Sequence, residues 1–303
     1  MSAPLDITII TGPTASGKTA LALSIAARKN GVIINADAMQ MYDTLPILTA
    51  QPTAAEQAAA PHRLYASRKA GEDLNTAQWR DLAITEIETA AANGAHPMIV
   101  GGTGLYIKTL IEGISPMPAI TPDIREALTE RRNAEGQEAF YTAFAAADPV
   151  MAARLKPQDT QRVMRAWEVL IGTGQSLSYW QDQPLEGTPA HYRFRLIGMT
   201  PDKPALHAKI KRRIGAMLDL GALDEIAALQ AAIDNGAVAE TALIVKAHGF
   251  RPFRAYLRGE WTLDDAINHT DAETRAYAKR QMTWLRNQYK STTQALVVEE
   301  FPC

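Results

Sequence analysis

Residues 12–19 read Gly12-Pro13-Thr14-Ala15-Ser16-Gly17-Lys18-Thr19, and this stretch decides the fold around it. The apolar run at 7–10 predicts a buried strand before it, and residues 19–28 predict a helix after it. In that context the pattern G-x-x-x-x-G-K-[ST] is typical of a phosphate-binding loop rather than a simple capped turn. Backbone N–H groups and the helix dipole would bind a di- or triphosphate, with Lys18 as a cation and the Thr19 hydroxyl as a Mg²⁺ ligand.

The bulk composition excludes little by itself. A chain of 303 residues favours one large domain with an attachment, or two domains. Its 31 basic and 33 acidic residues give a net charge of −2, so the overall charge gives no hint of whether a nucleic acid is a partner. Between Lys203 and Lys290, however, 14 basic residues face 10 acidic ones. A polyanion-binding surface would therefore lie in the C-terminal third, although a solvated helical face explains the excess equally well.

Cysteine usage and hydropathy predict a cytoplasmic protein without a membrane segment. The single cysteine, Cys303, excludes an internal disulfide and a cysteine-based zinc site. No apolar run approaches the roughly 18 residues of a membrane span, and the N-terminus carries no targeting signal. The histidines show no metal-ligand spacing and are predicted to be structural; they include His62, His191, His207 and His248.

Strands and helices alternate in the first part of the chain. Further strands are predicted at 32–36 and 97–100, and a helix from an Asn75 cap to a stop at 93–94, while residues 38–74 read as irregular. Ligands of parallel α/β sheets bind outside the carboxyl ends of the strands. The phosphate loop, Asp37 and the Gly-Gly-Thr-Gly turn at 101–104 all follow strands, so we expect them to meet at one crevice.

After residue 114 the pattern becomes helical. A proline-rich linker at 115–122 leads into capped helices, residues 191–199 form a strand that rejoins the sheet, and residues 204–290 are mostly helical. The predicted fold class is therefore α/β, a P-loop NTPase-like parallel sheet core with a mostly helical insertion domain and a helical C-terminal region. Residues 1–114 together with 191–303 form the core, and residues 115–190 form the insertion.

The chemistry around the loop separates several enzyme classes. The chain has no Asn-Lys-x-Asp guanine-reading motif, and the strand at 97–100 ends in Gly101-Gly102 rather than in the acid typical of a hydrolytic ATPase. Asp37, at the end of the second predicted strand, is an acid expected to lie next to the loop. As in small-molecule kinases it could activate a nucleophile or bind Mg²⁺, or it could simply cap a turn.

Six motifs then point to one family. They occur in order as GPTASGKT (12–19), NADAMQMY (35–42), PHRL (61–64), VGGTGLY (100–106), QRVMRAWE (161–168) and KRQMTWLR (279–286). Together they resemble the tRNA dimethylallyltransferases, also called tRNA isopentenyltransferases, of the bacterial type, over residues 1–290.

The resemblance implies a reaction. Members of the family transfer a dimethylallyl group from dimethylallyl diphosphate to the exocyclic amine of the adenine 3′-adjacent to the anticodon. Their substrates are tRNAs that read codons starting with U; Mg²⁺ assists and diphosphate leaves. The family further implies that the helical insertion grips the tRNA anticodon stem-loop, and threading one stem-loop through one channel suits a monomer.

The resemblance also assigns residues. Asp37 would orient the amine, with Thr14 and Lys18 acting on the diphosphate and Thr19 on the metal. The diphosphate would be held by Gly12, Pro13, Thr14, Ala15, Ser16, Gly17, Lys18, Thr19 and Arg213. The tRNA would be contacted by Asp37, Ala38, Met39, Gln40, Thr103, Arg125, Gln161, Arg162, Val163, Met164, Arg165, Lys279, Arg280 and Arg286.

Some alternatives stay open from the sequence. Arg212 could replace Arg213, and residues 161–171 could be an ordinary surface helix that packs Val163, Trp167 and Leu170. The chain departs from the family pattern at Ala38, at Gln51 and in the stretch 248–252, where the fine tRNA contacts are in doubt. Rival functions are a P-loop kinase for a small metabolite and a non-catalytic RNA-binding protein with a degenerate phosphate loop.

Overall fold

The structure is a computed structural model that describes residues 3–288 and 297–301. The chain divides into two compact units, an α/β unit of Met1–Ile111 with Thr188–Cys303 and a helical unit of Glu112–Gly187. The sequence placed these boundaries after residues 114 and 190, three residues later in each case. Thr188 begins the returning chain, and its hydroxyl donates to the carbonyl of Ile111 at 3.1 Å, which joins the two ends of the α/β unit.

A parallel sheet forms the centre of the α/β unit. Among the described residues its strand order is β3-β2-β4-β1-β5-β6. The strands are β1 (Leu5–Thr11), β2 (Gly31–Asn35), β3 (His62–Arg63), β4 (His96–Gly101), β5 (Tyr192–Met199) and β6 (Val297–Phe301). Ile9 of β1 lies between Ile99 of β4 and Leu196 of β5. Because β1 is covered on both faces, its sequence is almost continuously apolar, as is usual for parallel strands. The predicted P-loop-like parallel sheet is confirmed.

Helices connect and flank these strands. They are α1 (Lys18–Lys29), α2 (Ala54–Ala59), α3 (Thr76–Ala92), α4 (Gly104–Glu112), α9 (Lys203–Asp219), α10 (Ala222–Asp234), α11 (Phe250–Leu257) and α12 (Leu263–Gln288). The predicted Asn75 cap is present, and it forms a capping box with Gln78. The C-terminal third is helical up to residue 288, as its spacing predicts.

Two parts of the sheet region differ from the prediction. Residues 38–74 are not wholly irregular, because they contain a 3₁₀ turn (Met39–Met41), α2 and the two-residue strand β3. Helix α2 begins at a capping box formed by Thr53 and Glu56. This helix-start pattern did not lead to a predicted helix, because the prolines on both sides of it indicate irregular structure. Strand β6 was not predicted; it pairs in parallel with β5. Strand β3 has only two residues, too few for a hydrophobic period to show, and the sequence of β6, VVEEF, does not alternate between apolar and polar residues.

The helical unit has a core of its own. It contains α5 (Pro122–Ala147), α6 (Pro149–Ala152), α7 (Thr160–Thr173) and α8 (Leu177–Gln181). Helix α5 is interrupted at Gly136, whose backbone is non-helical with φ of 82°. Phe140 and Phe144 after that break pack against Trp167 of α7, with ring centroids 4.6 and 5.9 Å away. These aromatic contacts close a hydrophobic cluster made of residues of this unit.

Candidate active site

The phosphate loop joins β1 to α1, as the sequence predicts. Gly12 has a φ of +148°, and a Cβ built there would lie 2.7 Å from the Cβ of Met199 on β5. No larger residue fits at that point. Gly17 precedes α1 in a left-handed conformation. The loop therefore leads into the N-terminus of a 12-residue helix, where free amides and the helix dipole favour an anion.

Lys18 and Thr19 open that helix. The Lys18 ammonium donates to the carbonyls of Gly12 at 3.1 Å and Pro13 at 2.7 Å, so the cation lies over the loop. The Thr19 hydroxyl is partly exposed, and within residues 3–288 and 297–301 it makes no hydrogen bond. One free hydroxyl beside a phosphate loop fits Mg²⁺, which keeps several waters and takes its other ligands from substrate phosphates.

Asp37 lies just beyond the end of β2. Its own amide donates to Asn35 Oδ1 at 2.8 Å, and its Oδ1 accepts from the amide of Met39 at 3.0 Å. Asn35 is fully buried, and its Nδ2 donates to the carbonyls of Asp37 and Leu64, both at 3.0 Å. The amide of Met39 thus holds one carboxylate oxygen of Asp37 in place, while Asn35 fixes the backbone of Asp37. Across the described chain the Asp37 Oδ2 has no protein partner, so it can accept from a ligand.

Asp37 and the phosphate loop share one cavity in the α/β unit. The cavity has a volume of about 150 Å³. Polar groups line one part of it, and an apolar wall from α9 lines another. The polar lining includes Thr14, Asp37, Thr103, Arg213 and Tyr277; the apolar wall consists of Ile210, Ile214 and Met217. The predicted convergence of the three strand ends on one crevice is therefore observed.

Arg213 connects α9 to the phosphate loop. Its Nη1 donates to the Thr14 hydroxyl at 3.1 Å. Burial lowers the pKa of Arg213, and the negative charge of Asp37 partly opposes that shift. No carboxylate of the described part of the chain is bonded to Arg213, and a desolvated cation in that situation gains strongly from a bound anion. The neighbouring Arg212 is exposed and does not line the cavity, so the structure places Arg213, and not Arg212, beside the loop.

Of the other predicted tRNA contacts near Asp37, some line the cavity and one does not. Ala38 and Met39 line the cavity. Thr103 lines it too, and its Oγ1 accepts from the amide of Ala38 at 3.0 Å. Gln40 is engaged elsewhere, because its Nε2 donates to the carbonyls of Thr49 and Ala50 at 2.9 and 2.8 Å. Its amide nitrogen is therefore occupied by the adjoining loop.

The C-terminal helix α12 presents the predicted basic residues on its surface. Lys279, Arg280 and Arg286 are exposed. Lys279 and Arg280 line a shallow groove with Trp284, and Arg280 also borders a second groove. That second groove contains Lys246, His248 and Arg251, and both Lys246 and His248 reach the cavity as well. His248, which was predicted to be structural, lines both the cavity and the second groove.

In the helical unit the predicted tRNA-contact residues divide into two groups. Gln161 and Arg162 are exposed. Val163 is fully buried and Met164 is 7% exposed, both within the core of this unit. The hydrophobic effect holds both side chains in the core, where neither faces solvent, and the tRNA contact predicted for these two residues stays a prediction. The surface-helix interpretation describes them better.

Arg125 and Arg165 already have a partner in that unit. Arg125 Nε lies 2.6 Å from one oxygen of Glu168, and Arg165 Nη1 lies 3.2 Å from the other. The Glu168 side chain is only 3% exposed, whereas both arginines remain partly exposed. A buried carboxylate requires such cations. Each arginine therefore stabilises the buried Glu168 carboxylate, independently of any contact with RNA.

Comparison with known proteins identifies the family to which this chain is related. A family model described as IPP transferase matches residues 40–288. A tRNA dimethylallyltransferase of Allorhizobium ampelinum is 46% identical over 288 residues, which cover 95% of this chain and 93% of the relative. One of Rhodospirillum centenum is 44% identical over 289 residues, with 95% and 90% covered. This chain belongs to the IPP transferase family.

Solved structures of the family agree with the fold. The tRNA isopentenylpyrophosphate transferase of Bacillus halodurans is 32% identical, with a TM-score of 0.67 over 98% of this chain and 90% of that one. A eukaryotic dimethylallyltransferase described as acting on tRNA is 27% identical, with a TM-score of 0.76 over 93% of this chain and 70% of that one. These relatives are transferases, so the kinase and the non-catalytic alternatives are not favoured. Among the described residues, no helix has the length and apolarity needed to cross a bilayer.

Sequence reasoning gave no role to several residues that the fold of this IPP transferase brings to the site. Gln281, within the KRQMTWLR motif, bonds to the phosphate loop, and Tyr277, one turn earlier, lines the cavity. Lys246 and Arg251 border the groove beside it. The sequence places Gln281 and Tyr277 four residues apart, and therefore on one face of a helix. That spacing is equally typical of two side chains that pack against the protein core, so it does not by itself indicate a role in the site.

Proposed function

We propose that this protein transfers the dimethylallyl group of dimethylallyl diphosphate to the exocyclic amine of the adenine 3′-adjacent to the anticodon. The tRNAs would be those that read codons starting with U, and the products would be isopentenyladenosine and diphosphate. One observation carries the proposal: the carboxylate of Asp37 and the cation of Arg213, bonded to Thr14 of the phosphate loop, line a single cavity. Family membership supports the same reaction.

The donor would occupy the phosphate-loop side of the cavity. Amides of the loop, Lys18 and Arg213 would hold the diphosphate, and the apolar wall of Ile210, Ile214 and Met217 suits a five-carbon prenyl chain. As the carbon–oxygen bond breaks, negative charge grows on the leaving diphosphate. The Thr14 hydroxyl and these cations are placed to stabilise that charge, which lowers the barrier more than it strengthens ground-state binding.

The acceptor would occupy the Asp37 side. The adenine amine donates to the free Asp37 Oδ2, which orients the nitrogen toward the prenyl carbon. A nitrogen–carbon bond forms while the bond from carbon to the diphosphate oxygen breaks, and the surplus amine proton passes to Asp37. An adenine inside a stacked loop cannot reach the cavity, so it must be flipped out of the anticodon loop.

Mg²⁺ belongs to the proposal as well. Thr19 would supply the protein ligand, and the diphosphate and water would supply the others. When bound, the ion neutralises charge on the leaving group. Lys18 and Arg213 would share this task, so the protein residues alone retain part of the binding energy for the diphosphate.

The exposed cations of α12 would contact the backbone of the anticodon stem-loop, as would Arg162 in the helical unit. We expect Lys279→Ala to weaken tRNA binding and to lower the slope of log Kd against log salt by about 1, because one phosphate contact is lost. Fluorescence anisotropy at several salt concentrations measures this slope. Lys29→Ala is the matched control, since exposed Lys29 lies at the far end of α1 from the loop; equal slopes for the two variants would remove Lys279 from the interface.

The reaction itself is tested with labelled dimethylallyl diphosphate. The acceptor is an unmodified anticodon stem-loop with three consecutive adenines from the target position, with Mg²⁺ and without ATP. Label on the RNA is expected, and a stem-loop with guanine at the target should stay unlabelled. No label, together with ATP-dependent phosphorylation of a small acceptor, would support the kinase instead. We further propose that the enzyme is cytoplasmic and acts as a monomer. Sedimentation of the enzyme–RNA complex tests the second point, because a monomer should give the mass of one enzyme and one stem-loop.

A further inference from the structure

Gln281 of α12 connects two loops of the site. Its Oε1 accepts from the amide of Thr14 at 2.8 Å, and its Nε2 donates to the carbonyl of Gly102 at 3.0 Å. The side chain is 6% exposed, so solvent cannot replace either bond easily. A backbone donor on one side and a backbone acceptor on the other fix which way the amide points. The Thr14 amide is therefore held by the protein, while the Thr14 hydroxyl faces Arg213.

Tyr277 lies one helical turn before Gln281 and continues the connection. Tyr277 and Thr103 line the same cavity, and the side chains of Thr103 and Gln281 interact with the Tyr277 phenol. Thr103 in turn accepts from the amide of Ala38, the residue after Asp37. Burial raises the pKa of Tyr277, and the negative charge of Asp37 raises it further, so the phenol stays protonated as a hydrogen-bonding group. A chain of polar contacts thus runs from Thr14 to the backbone beside Asp37.

Close packing holds this chain in register. A Cβ at Gly102 would lie 2.0 Å from Gln281 Nε2, and one at Gly104 would lie 2.3 Å from the ring of Trp284. Two glycines of the Gly-Gly-Thr-Gly turn therefore let α12 approach the backbone directly. This close approach makes the polar contacts short and stiff, because tightly packed interiors do not deform continuously.

We propose that Gln281 and Tyr277 are positioning residues that set the separation between Thr14, which holds the donor, and Asp37, which holds the acceptor amine. This inference rests on the proposed prenyl transfer. The two residues form a bracket: α12 is the rigid element, and the two loops that carry the reactants are attached to it. A displacement of about 1 Å between reacting groups can reduce a rate by about 100-fold without changing how tightly either substrate binds.

The test is Gln281→Met, which keeps the size of the side chain and removes both hydrogen bonds. We expect kcat for prenyl transfer to fall by about 10- to 100-fold. The KM for dimethylallyl diphosphate and the Kd for the stem-loop should stay within about threefold, since neither substrate loses a contact. The matched control is Gln230→Met on α10, which makes the same exchange in a glutamine whose side chain, within the described residues, bonds only to Asp234 on its own helix; its kcat should not change.

A second variant shows whether the two residues act as one bracket. Tyr277→Phe should lower kcat in the same way, and the double variant should lose less than the product of the two single losses, because residues of one unit are not additive. An unchanged kcat in folded Gln281→Met would overturn the proposal, as would a kcat loss matched by a loss of donor affinity. If Gln281→Met does not fold, an unchanged kcat in Tyr277→Phe overturns it. Absence of transfer by the unsubstituted enzyme would instead contradict the proposed function.

Discussion

Asp37→Ala is expected to lower the rate of prenyl transfer by about 10²- to 10⁴-fold, the usual contribution of a well-placed proton acceptor. Among the described residues Asp37 Oδ2 is the carboxylate oxygen that accepts no hydrogen bond, and Asp37 and Thr14 line the same cavity. The loss should fall on kcat, because the amine would no longer be oriented or deprotonated. The Kd for the stem-loop should change by less than about threefold, since many other contacts hold the RNA. Single-turnover transfer of labelled donor measures the rate, and anisotropy measures the Kd.

Two isosteric variants make the test specific. Asp37→Asn keeps an oxygen for the amide of Met39 but removes the charge, so it should lose nearly as much activity as Asp37→Ala. Asp43→Asn is the matched control, because Asp43 lies in the same segment but forms an ion pair with Lys69 outside the cavity. Retention of more than about a tenth of the activity in Asp37→Asn would show that another group takes the amine proton, and would leave Asp37 as a turn residue.

The parts of the site that the sequence predicted are those set by local structure. The phosphate loop follows from a strand, a glycine-rich turn and a helix within 25 residues, and Gly12 and Gly17 adopt the backbone that such a turn needs. The position of Asp37 follows from the general rule that ligands bind at the carboxyl ends of parallel strands. Neither inference requires knowledge of how distant helices pack.

The parts that the sequence could not give depend on tertiary register. Met164 lies in the same motif as Arg162 and Arg165, but helix rotation turns it into the core together with Val163, whose packing the sequence had left open as one alternative. The resemblance assigns Arg125 and Arg165 to the tRNA, and nothing in the sequence marks Glu168 as the carboxylate with which both form ion pairs. Gln281 reaches Thr14 only because α12 docks on Gly102 and Gly104, some 180 residues earlier in the chain. Such contacts have no local signature.

The adjacent residues Arg212 and Arg213 show how helix orientation decides which of two similar side chains reaches the site. Adjacent residues on a helix point about 100° apart, so one faces the cavity and the other faces solvent. The charge pattern of α9 is identical for both, and only the packing of Ile210 and Ile214 decides between them. The resemblance assigns the diphosphate contact to Arg213 and leaves Arg212 open, and the packing of α9 shows that Arg213, and not Arg212, lines the cavity.

Arg213→Ala is expected to reduce kcat/KM for dimethylallyl diphosphate by about 10²- to 10³-fold, the usual loss when a preorganised donor to a developing anion is removed. The variant loses a desolvated cation beside the phosphate loop and releases the Thr14 hydroxyl to which it is bonded. Both effects grow as charge develops on the leaving diphosphate, so kcat should fall together with donor affinity. Inhibition by the product diphosphate should weaken in parallel, which gives a binding measurement that is independent of turnover.

The matched control is Arg212→Ala, which removes the same charge one residue away. Arg212 is exposed, so its contribution to the potential at the cavity is screened by solvent and salt, and kcat/KM should change by less than about threefold. Arg213→Lys should recover part of the activity, because a lysine restores the charge but not the planar guanidinium that bonds to Thr14. Equal losses in Arg212→Ala and Arg213→Ala would mean that α9 acts only through its overall charge, and would contradict a direct contact between Arg213 and the diphosphate.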